Sequence, residues 1–89
     1  MKIKSGFVLE KVGAGYLAVA VGERAGEFSG LIRLNSTGAF IWNLMAERDA
    51  SRDELVDAIL SQYVGVAREQ VEGDVDNIVS ILLDGGILE

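Results

Sequence analysis

Neither cysteine nor histidine occurs in this chain of 89 residues, and the two absences remove most of the reactive side chains available to a small protein. Disulfides, thiolate nucleophiles, imidazole bases and the common zinc sites are excluded together. Proline is missing as well, so glycine and polar capping residues must make every turn. The chain has no basic-then-apolar leader and no apolar run long enough to span a bilayer, so no membrane association is expected and the reading is cytoplasmic. Positive charge is scarce: eight Lys/Arg stand against fourteen Asp/Glu, a net charge of −6.

What is present is unevenly placed. Residues 1–34 carry five basic and three acidic side chains, net +2, whereas residues 35–89 carry three basic and eleven acidic, net −8. An acidic second half repels a phosphate backbone, which argues against nucleic acid as a partner. At this length one domain spanning 1–89, with one core, is expected. Glycines 13, 15, 22, 26 and 30 punctuate the first third, and three short strands fit between them: Phe7 to Val12, Tyr16 to Val21 and Glu27 to Leu34. Connections this short imply an antiparallel meander. Alternation places Leu17, Val19 and Val21 on one face of the second strand. In the third it groups Phe28, Gly30, Ile32 and Leu34, with Ser29, Leu31 and Arg33 opposite. One face of the sheet then packs on helices.

The corner Leu34-Asn35-Ser36-Thr37-Gly38-Ala39-Phe40-Ile41-Trp42 ends the strands and opens the first helix, with Asn35 or Ser36 as N-cap. A second helix starts at the capping box Ser51-Arg52-Asp53-Glu54, carries Leu55, Val56, Ile59, Leu60 and Tyr63 at helical spacing, and is expected to end at Gly65. The third, from about Ala67 to Asp84, stops at Gly85-Gly86, after which Ile87-Leu88 can fold back. At ~100° per residue Val71, Val75, Ile78 and Leu82 form one stripe of this helix, flanked by Val79 and Leu83 on one side and Ile81 on the other, an apolar arc of roughly 200°. Two readings fit that breadth. Either the helix buries two sides between a sheet and other helices, or one flank lines a groove against an open sheet edge that takes an extended peptide. The mean hydropathy of +0.29 leans toward exposed apolar surface.

Other chemistry-bearing patterns reduce to structure. Asp74/Asp76 and Asp53/Asp57 are carboxylate pairs on polar helix faces, with no neighbour to desolvate them. Glycines 13 and 15 lack the third glycine of a nucleotide loop and precede a strand, so they read as a hairpin turn. Ser36 and Thr37 have no base partner and read as caps, and Trp42, among Phe40, Ile41 and Met45, reads as core. Arg33 could pair with a peptide carboxylate at the sheet edge.

Taken with the segments "LNSTGAFIW", "LVDAILSQYVGV" and "VEGDVDNIVSILLDGGILE", the pattern resembles the PqqD family, small domains that present precursor peptides to modifying enzymes. Asn35, Trp42, Leu55, Tyr63, Val66, Asp74, Val75, Leu82, Gly86 and Leu88 fall where that family would place them. The resemblance implies an α+β fold, a three-stranded antiparallel sheet followed by three helices in a winged helix-turn-helix-like arrangement, with no catalytic residue, cofactor or metal. It also implies that the leader of a ribosomally made precursor adds as a strand between the third strand and third helix, for delivery to a radical SAM enzyme or a leader peptidase. Carried over by position, Phe28, Ser29, Gly30, Leu31, Ile32 and Arg33 offer the edge, and Asp74, Ile78, Ile81 and Leu82 the groove wall. Departures at Ala46-Glu47-Arg48-Asp49-Ala50 and at Ala67 argue against pyrroloquinoline quinone synthesis itself. Two rival readings use the same architecture: a winged-helix DNA-binding regulator, and a dimerisation domain whose open edge pairs with its own copy.

Overall fold

The computed structural model of the protein describes residues 1–26 and 32–89. In chain order it contains β1 (Phe7–Val12), β2 (Gly15–Ala20), a 3-10 turn (Gly22–Gly26), β3 (Ile32–Leu34), α1 (Ser36–Glu47), α2 (Arg52–Gln62) and α3 (Arg68–Asp84). This is the α+β arrangement expected, an antiparallel sheet in the order β1-β2-β3 followed by three helices. Of the residues expected in the third strand, Glu27, Phe28, Ser29, Gly30 and Leu31 lie outside the described part.

Gly13 and Ala14 close the β1–β2 hairpin. Gly13 sits at φ +61° while Ala14 keeps an ordinary negative φ, the combination a two-residue turn with glycine first requires. β2 therefore starts one residue earlier than expected, at Gly15, paired with Val12. The helix-facing side of the sheet is made by Ile32 and Leu34 of β3 and, opposite them in register, Ala18 and Tyr16 of β2. Phe7 and Leu9 continue that side in β1. Leu17 and Val19 do share a face, as alternation requires, but it is the outer one, where Val8 and Val12 are exposed. Ala18, 1% exposed, takes the inner position, and its small size lets a helix approach the sheet.

Asn35 is the N-cap of α1: the Gly38 amide donates to its Oδ1 at 2.8 Å, and Ser36 is already helical. Behind this corner Ile41, Trp42 and Met45 are buried in the core that joins all three helices to the sheet. The capping box of α2 is complete. Glu54 N donates to Ser51 Oγ and Ser51 N donates to Glu54 Oε1, both at 3.1 Å. α2 ends at Gln62, before the expected Gly65, because Tyr63 turns to extended backbone; Gly65, at φ +79°, serves the following turn. α3 starts without a side-chain cap at Ala67 and ends in a complete Schellman closure. Ile87 N donates to Leu82 O and Gly86 N to Leu83 O, with Gly86 at φ +73° and both Ile87 and Leu82 fully buried.

The termini are tied to each other and to α1. Ile3 bridges Leu88, Ile3 N donates to Met45 O, Lys4 N to Ile87 O and Glu89 N to Lys2 O. Among the described residues no helix is long and apolar enough to cross a membrane.

Two stability predictions follow from the helix ends. Gly86→Ala forces an L side chain into left-handed backbone and should cost about 1–2 kcal/mol, read as a lower urea midpoint at unchanged slope. The Ser51 backbone amide, first, and Arg48, whose guanidinium donates to Glu54 at 2.7 Å, hold the Glu54 carboxyl below its ordinary value of 4.5. A depressed folded-state pKa means the contribution is present above pH 4.5 and fades as pH falls through the lower folded value. The urea midpoints of wild type and Glu54→Gln should therefore differ near neutrality and converge in acid.

Candidate functional site

A sheet edge becomes a binding element only if its outward backbone groups are unpaired. In a two-residue hairpin the residues flanking the turn form a hydrogen-bonded pair, so Val12 and Gly15 bond to each other and alternate residues of β2 turn toward β3. Tyr16 and Ala18 then bond to Leu34 and Ile32, and the intervening pair Leu17–Arg33 makes no cross-strand bonds. The Leu34 carbonyl agrees: it lies 3.4 Å from where a Cβ on Gly15 would stand, turned toward β2. Arg33 thus aims its N–H and C=O away from the sheet, and among the described residues β3 has no strand on its other side. No backbone hydrogen bond among the described residues reaches it, and the chain's own termini are engaged elsewhere.

Side-chain contacts fix the rotation of α3 beside that edge. One flank faces α2: Arg52 Nε donates to Asp76 Oδ1 at 2.6 Å, Nη2 to Oδ2 at 2.9 Å and Nη1 to Glu72 at 3.5 Å, while Arg68 reaches Asp57 at 3.3 Å. The fork raises the Arg52 pKa and holds the Asp76 carboxyl below its ordinary range, chiefly through their mutual hydrogen bonds. At the other flank Gly85 abuts β3 so closely that a Cβ there would come within 2.7 Å of Ile32 Cδ1. On a wheel of ~100° per residue, Asp74, Ile81 and Asn77 follow Gly85 around that same flank. Ile81 is 39% exposed, and Asp74, Asn77 and Asp84 are exposed beside it. Leu83, 61% exposed, and half-buried Val79 lie toward α2.

The sequence-expected site residues therefore separate. Arg33, Asp74 and Ile81 present surface to the space beside β3, with buried Ile78 at its base. Ile32 and Leu82 are buried in the core, Leu82 completely, so they position the two walls from behind. Phe28, Ser29, Gly30 and Leu31 lie outside the described residues. Sequence reasoning missed Gly85, Asn77 and Asp84. The signal was there in the charges: Arg52 of α2 needs carboxylate partners, and Glu72 and Asp76 mark one flank of α3 as the α2 side. Two surface hollows among the described residues lie elsewhere. One, of about 480 Å³, is lined by Ser5, Gly6, Val21, Gly22, Glu23 and Arg24, and one of about 260 Å³ adjoins the termini. Among the described residues no group of His, Cys, Asp or Glu could hold a metal ion.

The family model described as Coenzyme PQQ synthesis protein D (PqqD) matches residues 18–88, 71 of the 89 positions. The chain belongs to the PqqD family. Its match covers the second half of β2, β3, the corner and all three helices, and so both walls of the candidate site in this PqqD-family chain. Among solved structures the domain is similar to "TbiB1 in Complex with the TbiA(beta) Leader Peptide", at 27% identity and a TM-score of 0.73, covering 100% of this chain and 95% of that one. Among curated proteins none matches it.

Proposed function

We propose that this PqqD-family protein is a leader-peptide recognition module. The leader of a ribosomally made precursor binds as an added strand on β3, its main chain bonding to Arg33 and its alternate side chains resting against the Ile81 flank of α3. The observation that carries this reading is the outward-facing backbone of Arg33 on an open edge beside that half-exposed apolar flank. A similar structure that holds a leader peptide supports it. The whole chain acts as one domain. It supplies no chemistry of its own and hands the bound leader, in the cytoplasm, to a modifying enzyme such as a radical SAM protein or to a leader peptidase.

Charge disfavours the DNA-binding rival. α3 holds one arginine against five carboxylates and would meet the major groove with repulsion. Fluorescence anisotropy of a labelled leader peptide, taken from the precursor encoded nearest this gene, tests the proposal. Saturable binding with no retardation of duplex DNA at moderate salt is expected. Binding to DNA and not to the leader would reverse the assignment. Light scattering of wild type and Arg33→Pro addresses self-pairing at the edge: an equal, monomeric mass for both is expected, and a wild-type dimer lost in the variant would favour the dimerisation reading.

A further inference from the structure

The charges around α3 are neutralised on one flank only. On the α2 side Asp76, Glu72 and Asp57 are each paired with Arg52 or Arg68. On the β3 side Asp74 is exposed, and Asp84, one turn from Ile81 and about 100° round from Gly85, is exposed at the solvent border of that flank; neither makes an ion pair or hydrogen bond among the described residues. Residues 27–31 contain no lysine or arginine, so that stretch brings no cation to them. Arg33 is exposed on the opposite side of the sheet from Ile32 and Leu34, and among the described residues it too is unpaired.

A strand laid beside β3 sends alternate side chains to the two sides of the sheet. Those on the helix side meet Ile81 with Asp74 and Asp84; those on the outer side meet Arg33. Resting on the leader-binding reading above, we propose that this domain selects leaders of one charge pattern: a bulky apolar residue facing α3, a lysine or arginine on that same face, and an acidic residue on the other face beside Arg33. Spacing follows from geometry. Asp74 and Ile81 are seven helical residues apart, about 10 Å along the axis, while same-face positions of a strand recur every ~6.6 Å. The cation therefore falls two or four residues from the apolar anchor. Unsatisfied carboxylates at a sheet edge also discourage acidic segments, so the pattern sets specificity by repulsion as well as attraction.

Panning a displayed library of short random peptides against the intact protein at low salt tests this, followed by titration of the enriched peptides into isotope-labelled protein. Lysine or arginine should be enriched two or four positions from an aliphatic or aromatic residue. An enriched peptide should bind about tenfold more tightly than its counterpart with glutamate at the cationic position, and the difference should collapse at high salt. The double variant Asp74→Lys/Asp84→Lys should reverse the preference. Asp74→Asn/Asp84→Asn, which keeps the side-chain shape, should erase it. Enrichment of neutral or acidic residues at those positions, or identical selection by wild type and the Asn variant, overturns the charge pattern. If peptides chosen without charge preference still shift the Arg33 and Ile81 amides, the charge pattern falls and leader binding stands. If enriched peptides leave both amides unmoved, or none enriches, both readings fall.

Discussion

Arg33→Pro should weaken leader binding by about a hundredfold or more while leaving the protein folded. The Arg33 amide points away from β2, so proline removes no hydrogen bond of the sheet; an edge position with its N–H toward solvent is where a strand tolerates that residue. For an added strand the consequences differ. One peptide carbonyl loses its donor and is left unsatisfied at a cost of about 1–3 kcal/mol, and the pyrrolidine ring occupies the line along which the strand would lie. A hundredfold corresponds to about 2.7 kcal/mol. Far-ultraviolet circular dichroism and a urea midpoint close to wild type would establish that the fold survives. Arg33→Ala separates backbone from side chain: it keeps the amide and should lose no more than a few-fold.

Ile81→Asn should reduce leader affinity about thirtyfold, with little change in stability. At 39% exposure Ile81 contributes little to the core, and asparagine has a similar helix propensity, so the cost falls on what covers the side chain. Withdrawing most of an isoleucine from an interface removes roughly 2 kcal/mol of apolar burial. Leu83→Asn is the matched control. Leu83 is more exposed, at 61%, on the same helix but toward α2, and its replacement should leave binding unchanged. An equal effect at both positions would mean that the peptide does not distinguish the flanks, and the rotation of α3 inferred from Gly85 and the Arg52 fork would not define the site.

The helices and the hairpin were legible in the sequence because each boundary is enforced by a local device. Ser51 and Glu54 cap one another, Asn35 caps α1, Gly86 supplies the left-handed residue of the Schellman closure, and Gly13 supplies the positive φ of the turn. The end of α2 was not legible, since Tyr63 leaves the helix by adopting extended backbone, which no residue type announces. Which face of β2 turns inward was ambiguous for a different reason. Leu17 and Val19 are more hydrophobic than Ala18, yet the inner position is decided by how closely a helix must approach, a property of the assembled layers. At the site, the apolar excess of α3 was visible as composition around a wheel. Its division into an α2 side and a β3 side needed contacts distant in sequence, Arg52 with Asp76 and Gly85 with Ile32. Pairing parity around the Gly13 turn likewise made Arg33 the outward-facing residue, and it appears only once strand register is known.

The most direct test is amide hydrogen exchange of Arg33 with and without the leader peptide. In the free protein this amide should exchange rapidly, as an unpaired edge donor does; on saturation it should become protected, with accompanying shifts at Ile78, Ile81 and Asn77. Tight binding that leaves Arg33 exchange unchanged, or protection confined to β1, would contradict strand addition at β3.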